Sequence, residues 1–175
     1  MKRIATTAAL LFASFLSLPA QTPAAPAAPA ATVTATPNLS GTWKLNLEKS
    51  DFDQVPPPSS QTDVFTQTGN NLTIATTSNG ERGKEVYALP MTIGGEATAT
   101  PKDTFPDAAE FKILSSKASW QGTTLVVDQQ MNYQGSVGTI HSLFTLSPDG
   151  KSLTRLTHYS LDLGDFDTKT IFDKQ

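Results

Sequence analysis

From Thr42 onward the chain alternates apolar and polar residues in short runs, and no stretch keeps a 3.6-residue period. In the first run Trp43, Leu45 and Leu47 share one face, while Thr42, Lys44 and Asn46 take the other. This pattern predicts half-buried strands at 42–48, 61–68, 72–77, 84–89, 110–120, 123–133, 139–147, 152–160 and 166–172. The breaks carry turn chemistry: Gly69-Asn70-Asn71, Ser78-Asn79-Gly80, Gln121-Gly122, the stretch from Gly135 to Gly138, Pro148-Asp149-Gly150 and Gly164-Asp165. Short strands joined mostly by hairpins make an antiparallel meander, and closing it removes the exposed edges. The expected fold is therefore all-β, a single antiparallel up-and-down barrel of about eight to ten strands with no lid helix.

The region before Asn38 has a different character. Lys2 and Arg3 precede an apolar stretch from Ile4 to Leu18, followed by Pro19-Ala20. Residues 1–20 read as a secretory signal peptide cut after Ala20, because the apolar run falls short of the ~20 residues a spanning helix needs. Residues 21–37 are rich in Ala, Pro and Thr, with Pro23, Pro26 and Pro29 blocking helix. They form an extended linker with too little apolar bulk to pack. The barrel domain is expected over residues 38–175.

Composition narrows the function classes. Lys and Arg total 13 against 16 Asp and Glu, for a net charge of −3. Removing Lys2 and Arg3 with the signal makes the chain more acidic still. No basic stripe offers a nucleic-acid footprint. Cysteine is absent, which removes disulfides, thiolate metal sites, thiol chemistry and a lipid-modified cysteine. The predicted outer faces, such as Asp128, Gln130 and Asn132, are too polar for a barrel that spans a membrane.

Asn38-Leu39-Ser40-Gly41-Thr42-Trp43 opens the domain and Thr170-Ile171-Phe172-Asp173-Lys174-Gln175 closes it. This pairing resembles the calycins: lipocalins, fatty-acid-binding proteins and avidins. Those begin the first strand with Gly-x-Trp and return the last strand beside it. The domain also resembles small secreted bacterial lipocalin-like proteins, through Lys49-Ser50, Pro56 to Pro58 and Asp149-Gly150-Lys151. The resemblance implies a ligand-binding barrel, with Trp43 as a structural plug. Departures are equally informative. The lid helix of fatty-acid-binding proteins would fall where Pro56-Pro57-Pro58 stands, and their Arg-x-Tyr carboxylate clamp matches Thr170 and Phe172. The chain ends at Gln175 where lipocalins add a packing helix, and Trp43 and Trp120 are too few for an avidin site.

Candidate chemistry comes from the inward faces of the later strands. Alternation places Leu125, Val127, Gln129, Met131 and Tyr133 on one face, then Ile140, Ser142, Phe144 and Leu146, then Phe166, Thr168, Thr170 and Phe172. A tightly filled barrel has little use for an amide and hydroxyls inside, whereas a ligand or water satisfies them. The candidate ligand-binding residues are therefore Gln129, Met131, Tyr133, Ser142, Phe144, Thr168, Thr170 and Phe172. The expected partner is a small apolar or amphipathic molecule, with no cofactor and no nucleic acid. The alternative is a structural or protein-interaction module of the cell envelope with a filled barrel.

Enzymatic readings find less support. No strand–turn–helix nucleophile elbow is available, and Gly94-Gly95 leads into no phosphate-binding helix. Asp103, Asp107 and Glu110 read as a solvated loop. Arg155, His158 and Tyr159 are the raw material that remains. A two-residue turn at Asp149-Gly150 would set His141 opposite His158. Pro148-Asp149-Gly150 instead suits a type I turn with Gly150 at a bulge. That shifts the register by one residue, sends the histidines to opposite faces and leaves no metal site.

Overall fold

The computed structural model describes residues 36–175 apart from Arg82 and Leu163. The expected signal peptide and nearly all of the expected linker lie outside the described residues. The domain is built from β1 (Gly41–Leu45), β2 (Ser60–Thr68), β3 (Asn71–Gly80), β4 (Gly83–Thr92), β5 (Thr98–Ala99), β6 (Phe111–Gln121), β7 (Thr124–Tyr133), β8 (Ser136–Leu146), β9 (Ser152–Leu161) and β10 (Gly164–Lys174). All ten join one sheet in the order β4-β3-β2-β1-β10-β9-β8-β7-β6-β5. Neighbouring strands are antiparallel, and β10 returns beside β1 with Leu45 opposite Phe172.

The two ends of this sheet nearly meet. β5 pairs only with β6, and Ile93, the residue that follows β4, reaches Ala118 of β6 through an isolated parallel bridge. The Gly94 N–H donates to the Ala118 carbonyl there at 2.7 Å. Nearer the opposite end the gap carries aromatic rings: Tyr87 of β4 meets Phe105 at 5.0 Å between centroids, and Phe105 meets Phe111 of β6 edge-on at 6.3 Å. The result is a nearly closed up-and-down barrel. The proline in β4, Pro90, sits on the strand at the sheet's edge, where a missing N–H breaks no second ladder. That is why β4 runs on to Thr92, past the expected stop at residue 89.

Three sequence expectations change. The first strand ends at Leu45 rather than at residue 48, because Asn46 caps a short 3₁₀ turn over Leu47–Lys49 and accepts from the Lys49 N–H at 3.1 Å. Leu47 consequently leaves the inward face and is 42% exposed. The two-residue β5 was too short to show an alternation.

The third change is the β8–β9 register. The turn is of the expected kind, with the Gly150 N–H donating to the Ser147 carbonyl at 2.9 Å and Gly150 at φ 69°. Lys151 adds one more residue to the loop, so that the Ser147 N–H bonds the Ser152 carbonyl and Leu146 faces Leu153. His141 therefore stands directly opposite His158, on the same face. The apolar alternation of the strands prevails over the shorter loop that the turn motif suggested.

The core fills one end. Leu39, Trp43, Phe65, Leu72, Leu125, Leu153 and Phe172 are buried there or along the adjoining wall. Phe65 and Phe144 meet edge-on at 5.7 Å, an arrangement favoured by the ring quadrupoles. Close packing continues at Gly138 of β8, where a Cβ atom would stand 2.6 Å from the Ser160 carbonyl oxygen across the ladder. Backbone cannot give way as a flexible side chain does. Gly138→Ala is expected to lower stability by about 1–3 kcal/mol, read from urea denaturation. A change below 0.5 kcal/mol would show that β8 and β9 are not so tightly apposed.

Candidate functional site

The inward faces of β2, β3 and β4 set three polar side chains in one row. Asp63 is in register with Thr76, and Thr76 with Tyr87. Across the barrel, Arg155 of β9 is in register with Thr170 of β10. Alternation anchored at the buried Phe65 turns Asp63 inward, and alternation anchored at the buried Leu153 does the same for Arg155.

These groups form one network. Asp63 is 1% exposed and accepts two hydrogen bonds from the Gln61 Nε2, at 3.0 and 3.1 Å. Arg155 Nη1 lies 3.8 Å from Asp63 Oδ2. Arg155 Nε donates to Thr170 Oγ1 at 3.1 Å, and its guanidinium covers the Phe172 ring at 5.1 Å. Burial pushes the Asp63 carboxyl above the ordinary carboxylate range, and outweighs the lowering by Arg155, Gln61 and Thr76. Burial also pushes the Tyr87 hydroxyl upward, and the nearby Asp63 charge adds to that.

Beside this network lies a cavity of about 620 Å³. It occupies the end away from Trp43, where the β3–β4 and β9–β10 turns and the segment 52–58 gather. Aromatic and aliphatic walls come from Phe52, Tyr87, Phe111, Met131, Tyr133, Tyr159 and Phe166. Tyr159 and Phe166 stack at 4.6 Å and 18°. Gln61, Thr76, Arg155, Thr168 and Thr170 supply polar groups on the inner wall, and the exposed Gln54, Glu81 and Asp165 belong to its outer part. A volume of this size, with walls that mix apolar rings and polar groups, has the character of a site for a small amphipathic molecule.

Of the residues expected to bind ligand, Met131, Tyr133, Thr168 and Thr170 line this cavity. The other four are placed elsewhere. Gln129 donates from Nε2 to Ser116 Oγ at 3.0 Å, and Ser142 pairs with Thr157 through their hydroxyls at 3.2 Å. Phe144 and Phe172 are 4% and 1% exposed and belong to the packed core. The sequence reading missed Asp63, Thr76 and Tyr87, and left Arg155 outside the ligand set. Carrying the alternation through β2, β3, β4 and β9 would have turned all four inward.

The outer face carries the two histidines. His141 Nδ1 lies 2.6 Å from Asp128 Oδ1 and His158 Nδ1 lies 2.9 Å from Asp167 Oδ1, so the four residues form one row across β7 to β10. Among the described residues, no group of three or more His, Asp or Glu side chains converges as a metal site requires. Nor is any helix there long and apolar enough to cross a membrane.

No protein-family model matches the chain, and no curated protein is similar to it in sequence. Among solved structures, the zebrafish ileal bile acid-binding protein in complex with cholic acid superposes with a TM-score of 0.52. The shared fold is the nearly closed antiparallel up-and-down barrel. The match covers 78% of this chain and 98% of the zebrafish protein, at 12% identity. It is to the fatty-acid-binding-protein-like branch of the calycins, and it extends to architecture alone.

Proposed function

We propose that this protein is a secreted carrier that holds one small, largely apolar or amphipathic molecule in its barrel and performs no chemistry on it. The observation that supports this most directly is the 620 Å³ cavity at one end of a barrel whose other end is packed shut around Trp43. A solid core, which the envelope-module alternative requires, is at odds with that cavity. The zebrafish neighbour's complex with cholic acid is a precedent for an amphipathic guest in this architecture. The signal peptide at 1–20 and the linker at 21–37 belong to the same reading: export, cleavage, and a barrel held away from its point of attachment.

The test is native mass spectrometry of the exported mature protein, purified without delipidation. A discrete extra mass that leaves on denaturation is expected. A second arm uses N-phenyl-1-naphthylamine, an uncharged apolar fluorophore, with the variant Ser78→Trp. Ser78 is half-buried, lines the cavity near its outer end and lies outside the packed core. The indole fills the entrance, so probe uptake is expected to fall by about tenfold while thermal stability stays close to wild type. A clean apo mass together with no probe uptake by the wild type would overturn the carrier reading.

A further inference from the structure

The carrier reading leaves open the class of head group that the cavity accepts, and the polar network at its inner wall addresses this. Arg155 is the only cationic side chain among the described lining residues. A lone buried guanidinium would recruit a carboxylate, because it lacks its own counter-charge. Here the counter-charge is already in place. Asp63 lies 3.8 Å from Nη1, is almost fully buried and is held by two bonds from Gln61. One guanidinium donor is also committed to Thr170, and Phe172 covers a face of the group.

A ligand carboxylate arriving at Arg155 would set a second anion beside Asp63, with one guanidinium between them in a poorly solvated space. Like charges so placed disfavour each other strongly, and the cost of stripping water from the newcomer is not recovered. An uncharged oxygen meets no such penalty. It accepts from the remaining Arg155 N–H donors, and a hydroxyl or amide N–H also donates to a threonine hydroxyl or to the Gln61 carbonyl oxygen. Glu81 and Asp165 along the cavity lining are further groups that an anion must pass.

We infer that the cavity selects amphiphiles with an uncharged polar head, such as a long-chain alcohol or primary amide, and rejects the carboxylate of equal chain length because Asp63 already neutralises Arg155. This inference rests on the carrier reading.

The experiment compares dodecanol with dodecanoate at neutral pH, by displacement of N-phenyl-1-naphthylamine from wild type and from Asp63→Asn. Dodecanol is expected to bind the wild type at least tenfold more tightly. Since an alcohol partitions from water more readily than its carboxylate in any case, the response to Asp63→Asn decides. In that variant Arg155 has lost its internal anion, so dodecanoate is expected to gain at least tenfold while dodecanol changes by less than threefold. Asp63→Ser removes the same charge and serves if the asparagine variant fails to fold. Equal or tighter binding of dodecanoate by the wild type would overturn the inference and leave the carrier reading intact. So would an alcohol preference that persists unchanged without the Asp63 charge. Displacement by neither ligand, with no probe uptake, would overturn the carrier reading itself.

Discussion

Trp43→Ala is expected to cost the barrel about 3–5 kcal/mol, the range for truncating a large aromatic in a packed core. The indole is fully buried, and its Nε1 donates to the Leu39 carbonyl at 2.9 Å. Leu39 is itself fully buried, and its N–H donates to Gln67 Oε1 at 3.1 Å. Ser40 Oγ accepts from the Gln67 N–H at 3.1 Å, so the chain entering β1 is tied down over the closed end. Removing the indole deletes the largest side chain of that plug and strips the Leu39 carbonyl of its donor. Against a typical total of about 5–15 kcal/mol this is a large fraction, and the melting midpoint is expected to fall by roughly 10–20 °C. Trp43→Phe keeps most of the bulk and loses the hydrogen bond, so its cost is expected near 1–2 kcal/mol. Urea denaturation followed by circular dichroism measures both. Because the cavity lies at the other end, the folded fraction of Trp43→Ala should still take up probe. A cost below 1 kcal/mol would mean that the plug closes the barrel without stabilising it.

What could be read in advance follows from which physical signal each element carries. Strands β7, β8 and β10 alternate cleanly, and Met131, Thr168 and Thr170 took their inward places for that reason alone. Strand β9 obscures its own face: Arg155 points inward while Leu156, 44% exposed, points out. An apolar count along β9 favours the face of Arg155, which also carries Leu153, Tyr159 and Leu161, but a guanidinium on that face argues against turning it inward. The cross-strand pairing of Arg155 with Thr170 and of Leu153 with Phe172 settles it. Asp63 was hidden differently. A carboxylate inside a barrel is costly unless partnered. Its partners, Gln61 two residues away and Arg155 far along the chain, meet only once β2 and β9 face each other. The histidine register failed on a single loop residue, since Lys151 lengthens the turn and a one-residue slip inverts a whole strand face.

The second large effect is expected at Arg155. Arg155→Met keeps the aliphatic stem over Phe172 but removes the charge that faces Asp63. Breaking a buried ion pair from one side costs about 3–5 kcal/mol, and the lower end applies because the Arg155 side chain is 20% exposed. The pH dependence carries the sign of the effect. Burial already holds the native Asp63 carboxyl above its unfolded value of 3.8. Such a group contributes stability that is fully present below that unfolded value and is lost as pH rises through the native one. Arg155 is the strongest of the influences that lower Asp63, so its removal raises the carboxyl further and extends the loss to higher pH. The variant should therefore fall furthest behind wild type at neutral pH, and the gap should close as the solution is brought to about pH 4. Other carboxylates titrate in both proteins and cancel in the difference. Adding Asp63→Asn to Arg155→Met should restore most of the lost stability at neutral pH, because an amide with Gln61 and Thr76 beside it carries no charge to desolvate. Urea titrations of the wild type, both single variants and the double variant at pH 4 and pH 7 complete the cycle. A deficit for Arg155→Met that is equal at the two pH values would place the contribution of Arg155 in packing on Phe172 rather than in its charge.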